Sequence, residues 1–229
     1  MNNSKYVPEI KGLLRSHMIE VPEVIRDASG IRVFGKRIKS LVFSTDVAVI
    51  KNTNADAVIA VYPFTPQPVI TEAIINSADI PVFCGVGGGI TTGKRVVNLA
   101  LDAEFKGAMG VVVNSPTPND LLMQMRETID IPIVVTVVSE FEDFGARIEA
   151  GATILNVSGA KKTAQIVRLI REKYPLFPII ATGGPTESSI RETIAAGANA
   201  ITFTPPPASD VQSDLMNKYR RIYKEEAEE

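Results

Sequence analysis

Eight short runs of β-branched and apolar residues punctuate the chain, and each closes on a small or polar residue before an amphipathic stretch begins. They are Ile38–Phe43, Ala57–Tyr62, Ile80–Gly85, Gly110–Asn114, Ile131–Thr136, Thr153–Val157, Pro178–Thr182 and Ala200–Thr204. Apolar residues follow one another within them without polar alternation, the pattern of strands covered on both faces by helices in a parallel sheet. Their starts fall about 20 to 30 residues apart, enough for a strand, a helix and two short connections. The intervening stretches, among them 118–126 and 163–171, place apolar side chains at helical spacing with charges on the opposite face. In Glu149-Ala150-Gly151-Ala152 and again in Ala195-Ala196-Gly197-Ala198, a glycine stands where a helix ends in a left-handed residue before the next strand. Eight units of this kind predict an α/β protein of the (β/α)8, or TIM-barrel, class.

The pattern divides the chain into a barrel core over 38–208, an N-terminal extension over 1–37 and a C-terminal helix over 209–229, within one domain. The extension is expected to hold a helix over Lys5–His17, a short one over Val21–Asp27 and a hairpin over Gly30–Ile38. Because it enters the first strand at its N-terminal end, it is expected to cap the barrel bottom. Ser209 or Asp210 is the expected cap of the last helix.

Composition removes several classes of function. The 229 residues carry a net charge of −2, and a pI near 5.6 argues against nucleic acid or an anionic membrane as partner. No apolar run is long enough to span a bilayer, and Met1-Asn2-Asn3-Ser4-Lys5 lacks a signal-peptide core, so a cytoplasmic location is expected. The single cysteine and single histidine leave no Cys–His pair and no metal cluster. No metal and no cofactor is expected. Cys84 is read as a buried apolar thiol and His17 as a surface residue. An apolar strip on the outer helices suggests a homo-oligomer.

Chemistry in this fold sits at the C-terminal ends of the strands and in the loops that follow. These positions are polar but poor in charge. Asp46 after the first strand and Glu140 after the fifth are the carboxylates placed to move a proton, although Glu140 also reads as an acidic first turn of a helix. Asn114, Thr136 and Asn156 are placed to orient a small substrate. The glycine-rich loop from Gly85 to Arg95 nearly spells a nucleotide-binding P-loop, but Arg95 stands where a Ser or Thr would hold magnesium. Lys94 and Arg95 are instead read as a second contact for an anionic substrate.

The seventh and eighth units, Ile179-Ile180-Ala181-Thr182-Gly183-Gly184-Pro185-Thr186-Glu187 with Ala195-Ala196-Gly197-Ala198-Asn199-Ala200, resemble those of the phosphate-binding barrels. That superfamily includes the ribulose-phosphate-binding enzymes and the class I aldolases. The resemblance covers about a quarter of the chain. It implies a phosphate held by Thr182, Gly183, Gly184, Thr202 and Thr204. Two departures stand out. The loop after strand eight is Thr204-Pro205-Pro206-Pro207, and proline has no N–H to offer. A Schiff-base aldolase needs a lysine late in strand six, where this chain has Asn156. The expected function is therefore a small-molecule enzyme of aldolase (lyase) or isomerase type, acting on a phosphorylated sugar or keto acid. A non-catalytic sensor similar to the glycerol-operon antiterminator regulators and a hydrolase are the alternatives.

Overall fold

The computed structural model describes residues 6, 8–10, 12 and 18–228. The expected Lys5–His17 helix falls largely outside the described residues, and His17 lies outside them altogether. Along the rest of the chain a 3-10 turn (Glu23–Asp27) leads to a hairpin of β1 (Ile31–Val33) and β2 (Lys36–Ile38). Then follow β3 (Ser40–Phe43), α1 (Val47–Lys51), β4 (Ala57–Ala60), α2 (Pro68–Ser77), β5 (Val82–Gly87), α3 (Lys94–Phe105), β6 (Gly110–Val113) and α4 (Asn119–Thr128). The second half comprises β7 (Ile133–Val137), α5 (Phe144–Ala150), β8 (Ile154–Val157), α6 (Thr163–Lys173), β9 (Ile179–Thr182), α7 (Glu187–Ala195), β10 (Ala200–Phe203) and α8 (Ala208–Glu228).

The eight strands β3 to β10 pair in parallel and in chain order, and β10 closes on β3 with Ile201 opposite Ser40. The fold is the expected (β/α)8 barrel. Gly151 and Gly197 have φ of 125° and 110°, values that favour glycine, and each ends its helix as expected. Ile38 belongs to the hairpin rather than to the first barrel strand, and β5 runs two residues further towards its C-terminal end than the apolar run suggests. The last helix begins at Ala208. The Pro207 carbonyl accepts from the N–H groups of Asp210 and Val211, so the expected cap at Ser209 or Asp210 is replaced by the proline that ends the preceding loop.

Two apolar layers follow from the alternation of side chains along each strand. Outward-facing Val42, Val58, Cys84, Val111, Val135, Leu155, Ala181 and Ile201 pack under the helices. Inward-facing Leu41, Ala57, Ile59, Phe83, Val112, Val134, Ile154, Ile180 and Ala200 fill the barrel together with Ile31, Val33 and Ile38 of the hairpin. The hairpin thus plugs the end where the strands begin. The 3-10 turn of the extension instead packs outside the barrel, with Val24 and Ile25 in the outer layer and Asp27 paired to Arg191 of α7 at 3.5 Å. Cys84 belongs to the outer layer and faces away from the barrel mouth. Burial pushes its thiol up to about 12, which leaves an inert apolar side chain. Among the described residues, no helix is long and apolar enough to cross a membrane.

Candidate functional site

The alternation that fills the lower barrel with apolar groups changes character at the last inward position on, or just past, five of the eight strands. There β6 to β10 present Asn114, Thr136, Asn156, Thr182 and Thr202, with Ser158 and Thr204 one step beyond. These seven neutral polar side chains, with Phe43, Ile59, Val61 and Val112, line a cavity of about 270 Å3 at the C-terminal ends of the strands. Asn156 sits opposite Thr136 across the β7–β8 pair and donates from Nδ2 to Thr136 Oγ1 at 3.3 Å. Thr182 donates to Ser158 Oγ at 3.3 Å. Asn156 Oδ1 and Thr202 Oγ1 have no hydrogen-bond partner although their residues are only 8% and 6% exposed. Buried polar atoms are normally paired, so two orphans in one cavity mark a place built for a ligand's polar groups.

No charged side chain lines this cavity. Asp46, read from sequence as a proton carrier, caps α1: its Oδ1 accepts from the N–H groups of Ala48 at 2.8 Å and Val49 at 3.3 Å. Glu140 lies in the loop before α5, whose cap is Asp143, so the helix-start reading of Glu140 gives way to a loop position. Its carboxylate accepts from Lys162 Nζ. That bond, with a backbone N–H of its own, holds Glu140 below the usual carboxylate range. Lys94 and Arg95 open α3 on the exposed side and line neither this cavity nor the one beside it.

Glu142 is the carboxylate that the loop is built around. Its Oε1 accepts from the N–H groups of Val138 at 2.8 Å and Ser139 at 3.2 Å, and from Ser115 Oγ at 3.1 Å. Arg147, 4.0 Å from the other oxygen, donates to the carbonyls of Ser115 and Thr117 and to Asn119 Oδ1. The β6–α4 and β7–α5 loops are tied together by this network.

The glycine-rich loop is tied to itself and to the β6–α4 loop. Gly88, at φ 93°, donates to the Thr91 carbonyl at 2.9 Å, and the Gly87 carbonyl accepts from Asn114 at 3.0 Å. A Cβ on Gly88 would stand 1.9 Å from Thr117 Oγ1, so the glycine lets this loop press against the β6–α4 loop. The two cross-loop contacts shape a second cavity of about 220 Å3, which shares Val61, Val112 and Asn114 with the first. Its remaining walls are residues 62–66 after β4, Gly85 and Gly87 of β5, and Gly89, Ile90 and Thr91 after it.

The β9–α7 turn expected to hold phosphate is packed tightly. Gly183 donates its N–H to the Thr202 carbonyl at 3.1 Å, and a Cβ there would meet Ile201 and Ile190 at 2.7 and 2.8 Å. Thr186 and Ser189 close a capping box on α7. Glu20, Glu23 and Glu187 line the groove beside Gly184 and Thr204. Of the residues singled out from sequence, Asn114, Thr136, Asn156, Thr182, Thr202 and Thr204 therefore converge on one cavity, while Asp46, Glu140, Lys94, Arg95, Gly183 and Gly184 do not line it. Ser158 was readable from the same two-residue period as Asn156. The 62–66 and 89–91 walls carry no periodic signal.

No family model and no characterised sequence matches the chain. Solved structures do resemble it. A 2,3-dimethylmalate lyase of the PEP mutase/isocitrate lyase superfamily superposes with a TM-score of 0.63 at 14% identity, covering 86% of this chain and 85% of that one. A phosphonopyruvate hydrolase in complex with oxalate and Mg++ gives 0.62 at 12%, covering 85% of each chain. An aldolase designated QR15 gives 0.55 at 18%, covering 72% of this chain and 88% of that one. At such identities the likeness is one of fold.

Proposed function

We propose that the chain is a lyase-type enzyme that binds a small 2-keto acid in the neutral mouth of the barrel. The observation that carries this reading is the pair of orphaned, buried oxygens, Asn156 Oδ1 and Thr202 Oγ1, inside a ring of hydroxyl and amide groups. Hydroxyls and amide N–H groups bind carboxylate and carbonyl oxygens without a fixed charge, and an enol O–H formed on carbon–carbon cleavage meets Asn156 Oδ1 as acceptor. The likeness of fold to a dimethylmalate lyase, a phosphonopyruvate hydrolase and an aldolase supports a reaction of this class. Glu140, kept ionised by Lys162, is the carboxylate assigned to the proton, since Asp46 is committed to its helix cap.

The hydrolase structure holds oxalate with Mg++, and the donor set here does not suit a divalent cation. The cavity lining offers no carboxylate, and among the described residues no three His, Cys, Asp or Glu side chains cluster. Binding therefore rests on the neutral ring, and the proton on Glu140. Glu20, Glu23 and Glu187 line the groove beside the β9–α7 turn and disfavour a phosphate there.

Thermal stabilisation by pyruvate, set beside phosphoenolpyruvate, tests the binding step. A rise in Tm with pyruvate that Asn156→Leu and Thr202→Val both abolish supports the reading. A rise with phosphoenolpyruvate alone, lost in Gly184→Val, returns the site to phosphate. The uncharged lining also favours a second reading, a non-catalytic sensor. Keto-acid consumption that Glu140→Gln stops while binding survives decides for the enzyme, and binding without consumption decides for the sensor.

A further inference from the structure

We infer that the site takes a two-part ligand, whose hydrogen-bonding head fills the mouth cavity and whose apolar extension runs into the groove between the β4–α2 and β5–α3 loops. The head rests on the function proposed above; the groove is a separate observation. Phe64 and Ile90 are 75% and 97% exposed, yet they stand on facing loops and line one cavity with Tyr62, Pro63 and Pro66. Large apolar side chains left in water around a concavity mark a binding surface more than a solvated face. Both walls are braced. Tyr62 Oη accepts from the Gln67 N–H at 2.9 Å, and the opposite loop is held by Gly88 N–H to the Thr91 carbonyl at 2.9 Å.

The groove opens directly onto the mouth, because Val61, Val112 and Asn114 line both cavities. A ligand whose head is hydrogen-bonded at Asn156 and Thr202 can therefore extend past Val61 and Val112 into the groove. At about 220 Å3 the groove exceeds the cavity of about 150 Å3 that accepts benzene in an engineered core. A phenyl ring or a chain of several methylenes fits that space. The ligand class is accordingly a 2-keto acid with an aryl or alkyl side chain rather than the smallest members of the class.

The test titrates the full chain with pyruvate, 2-oxobutyrate, 2-oxohexanoate and phenylpyruvate, and separately with toluene, which has no head group. In the wild type, affinity is expected to climb about threefold to fourfold per added methylene. The climb flattens in Phe64→Ser and in Ile90→Ser, and toluene shifts the NMR signals of Tyr62 and Phe64. A wild-type series with no dependence on chain length, or toluene leaving those signals unmoved, overturns the groove. Toluene binding with no keto acid bound at all overturns the head assignment and upholds the groove, so the two readings fail separately. Asn156→Leu, which keeps the groove intact, is expected to lose the keto acids and retain toluene.

Discussion

At the bottom of the barrel polar groups are closed off by one another, whereas at the top several are left waiting. Arg171 below the strands donates to the carbonyls of Pro175, Phe177 and Gly197 at 2.8, 2.9 and 2.7 Å and to Asn199 Oδ1 at 2.8 Å. Asn199 also accepts from Ile179 at 2.9 Å and donates to Ser29 at 2.9 Å, lacing the hairpin plug to β9. Above the strands Arg147 plays a comparable part for the β6–α4 and β7–α5 loops. Yet all four buried side-chain oxygens without a hydrogen-bond partner among the described residues, on Thr117, Glu142, Asn156 and Thr202, lie in the upper half of the molecule. An unmade hydrogen bond in a buried place costs stability, so its concentration at one end separates the part of the chain that holds the fold from the part proposed to meet a ligand.

The largest effect should come from emptying the lower barrel. Phe83 is 1% exposed and packs against Leu41, Ile59 and the hairpin plug. Phe83→Ala should cost about 3–5 kcal/mol by leaving a cavity that the surrounding strands cannot close. Ile38→Ala, 2% exposed in the plug itself, should cost about 2–4 kcal/mol. Denaturant unfolding of both variants measures this. A loss under 1 kcal/mol in each would mean that the plug is not what stabilises this end.

At the mouth the same kind of change should act in the opposite direction. Thr202→Val keeps the shape of the side chain and deletes an oxygen that has no partner at 6% exposure. Desolvating such a group costs about 1–3 kcal/mol, so the variant should be more stable by about 1 kcal/mol while losing the ligand. Lower stability than wild type would show that a bound water or an unseen partner already satisfies Thr202, and the contrast between the two ends would weaken.

Much of that contrast was legible in the sequence, because it rides on the two-residue period of the strands. Once Ile154 and Leu155 are placed in and out, Asn156 must point inward, and the same step assigns Thr136, Thr182 and Thr202. The carboxylates escaped this logic. Asp46 and Glu140 stand at the right ends of the right strands, but their hydrogen bonds to Ala48, Val49 and Lys162 depend on loop geometry, which no period encodes. The glycine-rich loop depends on a contact of the same kind. Gly88 is a glycine because Thr117 approaches it from a different loop, a contact between positions far apart in the chain. The apolar groove likewise exists only once Phe64 and Ile90 face each other.

The smallest effect belongs to the charged pair on the rim, Glu140 with Lys162. Lys162 holds the Glu140 carboxyl below the usual range in the folded chain, while the unfolded chain titrates near the ordinary value of about 4.3. As pH falls through that ordinary value, the unfolded state takes up the proton first, so stability from the pair is complete above it and drains away towards the depressed value. Glu140→Gln removes this contribution. Its small loss in Tm at pH 7 should shrink in 1 M salt, where screening reaches an exposed partner such as Lys162, and should vanish as the pH falls well below the carboxylate range. A Tm difference of constant size from pH 7 to pH 3 would show that Glu140 acts through the shape of its loop and not through charge. Its assignment as the proton carrier would then lose its electrostatic basis.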